Sequence, residues 1–232
     1  PEQLERMLAI SPDCWCENLG LGELDFRVPP EGMDALDASG IAYRVLIDDL
    51  QETVDAERAR LAAAAPADGP VDWYDDFKDL AQINTRIDEL AAAYPNIVTV
   101  LDIGDSVEGR DIRAMRITGP GADKPAVLYN ACQHAREWIS PMTAMFIADE
   151  LATKYGDDPQ ITSLVDAVEF FVIPVVNPDG YVYSWEAERF WRKNRRDNGD
   201  GTFGVDPNRN WGYEWGGPGA STFTDDPTYR GP

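Results

Sequence analysis

Two residues three positions apart carry the chain's clearest chemistry: His134 and Glu137, in the stretch Cys132-Gln133-His134-Ala135-Arg136-Glu137-Trp138. His134 is the only histidine among 232 residues. In a helical or tight turn, that spacing puts both side chains on one side of the backbone. A converging imidazole nitrogen and carboxylate make two-thirds of a His₂Glu catalytic zinc site. The second histidine of such a site is not in this sequence. A structural histidine followed by a helix-starting glutamate explains the pair as well, because an acid in a first helical turn is favoured by the helix dipole.

Two other clusters could meet a substrate. Phe190-Trp191-Arg192-Lys193-Asn194-Arg195-Arg196 reads either as a solvated basic helix end or as a cationic wall for an anionic group. Gly204-Val205-Asp206-Pro207-Asn208-Arg209-Asn210-Trp211 reads as a turn, or as a carboxylate receptor with an Asn amide beside an Arg fork. Between them, Asp197-Asn198-Gly199-Asp200-Gly201 invites a calcium loop but breaks the EF-hand spacing, so a plain turn is expected.

The elements that must position these residues follow from hydrophobic periodicity. Pro125 to Cys132 reads as a buried strand and Trp138 to Tyr155 as a helix, which puts His134 and Glu137 in the strand-to-helix corner. Upstream, Trp73 to Tyr94 is an amphipathic helix. Ile97–Ile103 and Ile112–Ile117 form a hairpin around Ser106–Asp111. Downstream come a short helix, Gln160–Ala167, and a buried strand, Val168–Val176, ended by the turn Asn177-Pro178-Asp179-Gly180. Residues 1–64 read as a separate α/β unit. Its strands are expected at Met7–Ile10, Leu24–Val28 and Ile41–Ile47, and its helices at Glu31–Ala38 and Asp48–Ala64. The order β-β-α-β-α is most of a ferredoxin-like sandwich. Residues 65–72, with Pro66, Gly69 and Pro70, read as a linker to a second domain over 73–232.

Composition narrows the partners. Against 42 acidic residues stand 20 basic ones, a formal charge of −22, which excludes nucleic acid and anionic membrane as partners. No apolar run approaches a membrane span. The chain begins with Pro rather than Met, so removal of an upstream segment such as a signal peptide is expected. Three cysteines, Cys14, Cys16 and Cys132, cannot all pair within the chain, and plain thiols are expected.

Taken together the clusters are far more specific than any one of them. His-Ala-Arg-Glu-Trp, Asn-Pro-Asp-Gly-Tyr, Trp-Arg-Lys-Asn-Arg and Gly-Val-Asp-Pro-Asn-Arg-Asn-Trp, in that order, resemble the zinc metallocarboxypeptidases of the pancreatic A/B type. Arg27-Val28-Pro29 and Gly40-Ile41-Ala42-Tyr43, leading to Ile47-Asp48-Asp49-Leu50-Gln51, resemble their activation (pro) segment. The resemblance implies an α/β chain: a ferredoxin-like pro domain followed by part of a mixed-sheet α/β/α metallocarboxypeptidase domain. It implies a secreted zymogen that acts on peptide or protein C-termini, with the pro domain as intramolecular inhibitor.

By this match His134 and Glu137 would be zinc ligands, and Arg136 would contact the substrate backbone. Arg195 would stabilise the oxyanion formed when zinc-bound water attacks the scissile carbonyl. Asn208 and Arg209 would grip the terminal carboxylate, and Arg192 would add positive potential along the cleft. Acids between Asp13 and Asp25, among them Glu17, Glu23 and Asp25, would reach Arg209 or Arg195 and mimic that carboxylate. The family's third zinc ligand and general-base glutamate lie well after the Asn-Arg pair, so they are expected outside this segment. The expectation is therefore the N-terminal part of a longer zymogen, completed by sequence beyond Pro232 or by a separate C-terminal fragment. The alternatives are a truncated, non-catalytic relative that binds peptide C-termini, and an amidohydrolase, which would need no pro domain.

Overall fold

The computed structural model describes residues 2–16, 22–63 and 73–232. It divides into two compact units, Pro1–Asp55 and Ala56–Pro232. The linker expected at 65–72 lies outside the described residues.

In the first unit, helix formation wins over the expected strands. Leu4, Met7 and Leu8 have helical spacing among good helix formers. Helix α1 (Glu2–Ile10) forms there with Met7 buried, so the strand expected at Met7–Ile10 is corrected. A second helix, α2 (Met33–Ser39), follows a 3₁₀ turn at Pro30–Gly32 and ends at Gly40, whose φ of 69° suits only glycine readily. Asp49 accepts the Gln51 and Glu52 amides at the start of α3 (Leu50–Ala63), as a capping acid should. Leu24–Val28 contributes one isolated antiparallel bridge, Cys14 to Phe26, in place of a strand. Ile41–Ile47 is also not a strand, and Tyr43, Val45, Leu46 and Ile47 are exposed. Extended segments need partners for their backbone groups, and the described residues offer this stretch none in a sheet.

The second unit is built on one mixed sheet. Its strands are β1 (Val98–Asp105), β2 (Asp111–Ile117), β3 (Ala126–Asn130) and β4 (Glu169–Ile173), in the order β1-β2-β4-β3. β1 and β2 pair antiparallel as the expected hairpin, β2 pairs antiparallel with β4, and β4 runs parallel to β3. Helix α4 (Leu80–Ala93) starts later than the periodicity suggests. A reciprocal capping box between Asp79 and Gln82 fixes its first turn, leaving Trp73 to Lys78 outside it. Phe77 still packs edge-on against Trp138. Helices α5 (Ile139–Thr153) and α6 (Pro159–Ala167) fall where expected. Ile83, Ile87, Met115, Met145, Ala148 and Val172 form the centre of the core.

Two further readings are corrected. Asn177 caps a helix rather than only a turn: its side chain accepts the Gly180 amide, and Pro178 opens α7 (Pro178–Glu186). β3 is a strand but not a buried one, with Leu128 60% exposed. Among the described residues its one neighbour in the sheet is β4, which leaves it at the edge of the four strands.

Candidate active site

His134 and Glu137 do lie in the corner between β3 and α5. The chain turns there through Cys132, whose φ of 58° is unusual for a residue with a side chain. Its amide donates to Ser140 Oγ, and the Glu137 amide donates to the His134 carbonyl, so the corner is closed on itself. Trp138 anchors its far end by stacking on Trp185 of α7 at 4.1 Å and donating Nε1–H to Ser184 Oγ at 2.8 Å.

The imidazole of His134 is buried and held at both nitrogens. Nδ1 lies 2.7 Å from Glu137 Oε1, and Nε2 lies 3.2 Å from Asp206 Oδ1. Asp206 is itself fully buried. Its Oδ1 accepts the Asn208 amide at 2.8 Å, and its Oδ2 accepts Arg192 Nε and Nη2 at 3.2 and 3.1 Å. Burial pulls against both charges, yet the mutual hydrogen bond and the nearby ions outweigh it. The His134 pKa is therefore raised and that of Asp206 lowered.

Backbone bonds tie the same segments together. Ala135 N–H donates to the Arg192 carbonyl, and Asn177 Nδ2 donates to the carbonyls of Gln133 and Lys193. Gly180 is required at this crossing, since a Cβ there would stand 2.5 Å from the Lys193 oxygen.

The basic cluster is neither a helix end nor a uniform cationic wall. Arg192 and Lys193 are buried, and Lys193 Nζ donates to the Thr224 carbonyl at 2.6 Å. Burial lowers the Lys193 pKa, and Asp226, Asp225, Asp206 and Asp200 oppose that effect. Arg195 instead stacks on Tyr183, Trp191 and Phe203. Asn208 Oδ1 accepts from Trp211 Nε1. Arg209 donates to the carbonyls of Gly219 and Asn208. The Arg136 carbonyl accepts from Arg189, whose guanidinium lies over Trp138. Asp197 to Phe203 is a turn: Asp200 accepts from Thr202 and Thr224, and these bonds take its pKa down to about 2. In the first unit, Asp13 pairs with Arg27 and Glu23 with Arg44. Glu17 lies outside the described residues.

The donor set suits zinc as far as it goes. A nitrogen and a carboxylate oxygen face each other, and the second imidazole nitrogen is fixed by a buried carboxylate, as metal-binding histidines commonly are. Among the described residues no third His, Cys, Asp or Glu joins them in a group able to hold a metal. Residue reading alone did not single out Asp206 or Asn177, because Asp and Asn beside Pro are ordinary turn formers. The available signal was an acid set between Val205 and Pro207, close after a chain stretch rich in Arg.

Residues 83–232 match a family model described as zinc carboxypeptidase, and residues 3–57 one described as carboxypeptidase activation peptide. The chain is 38% identical to carboxypeptidase A2 of Rattus norvegicus over 99% of its own length and 57% of the relative's. It is 34% identical to carboxypeptidase A1 of Sus scrofa, with the same 99% and 57% coverage. It therefore spans little more than half the length of these curated relatives. The crystal structure of carboxypeptidase A from Helicoverpa armigera superposes with a TM-score of 0.85 at 29% identity, covering 99% of this chain and 59% of that one. No helix among the described residues is long and apolar enough to cross a membrane.

Proposed function

The chain belongs to the zinc carboxypeptidase family, and from that premise we propose that it is the precursor part of a secreted exopeptidase that removes C-terminal residues from peptides. The observation that carries this reading is the convergence of His134 Nδ1 on the Glu137 carboxylate while Asp206 holds the opposite nitrogen.

In this proposal His134 and Glu137 hold zinc, with the remaining protein ligand supplied from outside the present segment. Bound zinc supplies Lewis-acid polarisation of a peptide carbonyl and an activated water. The rest is done by the chain's own residues. Asp206 fixes the imidazole's orientation, and Arg192 keeps that acid charged. Arg195 donates hydrogen bonds to the oxyanion. Asn208 and Arg209 receive the terminal carboxylate, which restricts the reaction to chain ends, and Arg136 aligns the substrate backbone. The segment matched by the activation-peptide model inhibits until it is removed. We take residues 1–64 as that pro domain and 73–232 as the N-terminal part of the catalytic domain.

Zinc titration against a chromophoric chelator tests the ligand assignment. His134→Ala and Glu137→Ala should each weaken zinc binding by more than about tenfold, as even outer-shell changes do at such sites. Unchanged affinity in both variants would remove the basis of the proposal. A chain that binds no zinc yet holds peptide carboxylates would support the non-catalytic binding reading instead.

A further inference from the structure

His134 is fastened to the Arg192 segment on both sides of its Cα atom. On one side the bond is direct, with Ala135 N–H donating to the Arg192 carbonyl at 3.0 Å. On the other side the link is a side chain, that of Asn177 at the N-cap of α7. Its Nδ2 donates to the Gln133 carbonyl at 3.0 Å and to the Lys193 carbonyl at 3.1 Å. The Gln133 carbonyl shares a rigid peptide unit with the His134 nitrogen, so this contact bears on the backbone that carries the imidazole.

Every group of the Asn177 carboxamide is committed. A primary amide has two N–H donors, and here each meets a carbonyl. Its oxygen accepts the Gly180 amide at 3.1 Å and caps α7. Reversing the amide would set its oxygen against two carbonyls, so only this orientation satisfies all three partners. Asn177 is 3% exposed, and loss of its donors would leave two carbonyls short of a partner in the interior.

A second asparagine fastens the far side of the Arg192 segment. Asn194 N–H donates to the Val205 carbonyl at 3.0 Å, and Asn194 Oδ1 accepts the Val205 amide at 2.8 Å. Val205 precedes Asp206, the acid against His134 Nε2. The segments carrying His134, Arg192 and Asp206 are thus tied edge to edge, and α7 supplies the tie between the first two.

We propose that Asn177 is a positioning residue for zinc binding: by clamping Gln133 to Lys193 its carboxamide sets His134 against Asp206, separately from its service as a helix cap. This rests on the reading of His134 as a zinc ligand given above.

The test separates clamp from cap. Serine caps helices about as well as asparagine but has no amide to reach two carbonyls, so Asn177→Ser removes only the clamp. Gly180→Ala opens the clamp from the other side, since its Cβ would stand 2.5 Å from the Lys193 oxygen and 2.6 Å from Asn177 Nδ2. Val165→Ala truncates a fully buried side chain of α6 and is the control for lost stability.

Two quantities are read in the full chain at one fixed pH. The first is the imidazole ring-proton spectrum, which belongs to His134 without further assignment because the chain has no other histidine. The second is zinc affinity against a chromophoric chelator. Asn177→Ser and Gly180→Ala should each shift the imidazole signals and weaken zinc binding about tenfold, the scale of outer-shell changes at metal sites. Val165→Ala should change neither. In the wild type the Asn177 side-chain amide protons should exchange with solvent as slowly as core amides. Fast exchange overturns the proposal even where neither clamp variant folds. Zinc affinity unchanged in both clamp variants overturns it whatever the imidazole signals do, and leaves the ligand reading standing. Equal weakening in Val165→Ala also overturns it, because general loss of stability then accounts for the effect. A wild type that binds no zinc removes the ligand reading and the proposal together.

Discussion

Arg192 and Arg195 stand three residues apart on one segment and are held by opposite means. Arg192 is buried against a buried carboxylate, with two nitrogens committed to Asp206. Arg195 is enclosed by three rings and donates no hydrogen bond to a described residue. The first arrangement matches each buried charge with a partner, which burial demands. The second holds a cation in position and leaves its donors for something else. The difference separates a guanidinium committed to a buried carboxylate from one held by ring faces, although both look alike in a run of basic residues.

The sharpest way to break the comparison is Asp206→Ala. It strands buried Arg192 and His134 together, so urea unfolding should show a loss of about 3–5 kcal/mol. A loss below about 1 kcal/mol would mean that the buried network is not structural. Arg195→Ala comes next and should act on rate. In the complete, metal-loaded protein it should raise the barrier by about 2.7–4 kcal/mol. Its cost to stability should be only about 1 kcal/mol, the value of the lost ring contacts. Steady-state kinetics and urea unfolding on the same variant measure both.

Asp179→Ala should cost about 2–3 kcal/mol, through charge-assisted bonds lost from Ser106, Glu108 and Arg110. It should also speed amide exchange in the turn between β1 and β2. The smallest effect is local and pH-dependent. Hydrogen bonds from Thr202 and Thr224 depress the Asp200 pKa to about 2. A carboxyl lowered in this way stabilises its turn fully above the ordinary value of about 4 and loses that contribution as pH falls through the folded value. Protection of the Thr202 amide should therefore persist at pH 4 and fade only near pH 2.

The readable parts of the chain were those where local pattern and tertiary position agree. The hairpin, α5, α6 and β4 are apolar runs of suitable length bounded by turn residues, and each forms where its run falls. The corner holding His134 and Glu137 followed from the same logic, a strand meeting a helix. The first unit resisted, because Met7–Ile10 and Ile41–Ile47 are short apolar runs that suit strand, helix or coil until partners decide. β3 reads apolar because it belongs in a sheet, but sequence does not say which strand stands at the edge. In the site, spacing brought out His134 and Glu137, while Asp206, Asp179 and Glu108 matter through contacts 69 or more positions away along the chain. Such contacts are set by topology, so no local window contains them.

The central claim is that His134 and Glu137 bind zinc in the geometry Asp206 prepares. X-ray absorption at the zinc edge on the zinc-loaded chain tests it most directly. The account predicts an imidazole contribution among light-atom ligands in the native chain, lost in His134→Ala and kept in Cys132→Ser. A zinc shell without imidazole, or one containing sulfur that disappears in Cys132→Ser, would contradict it.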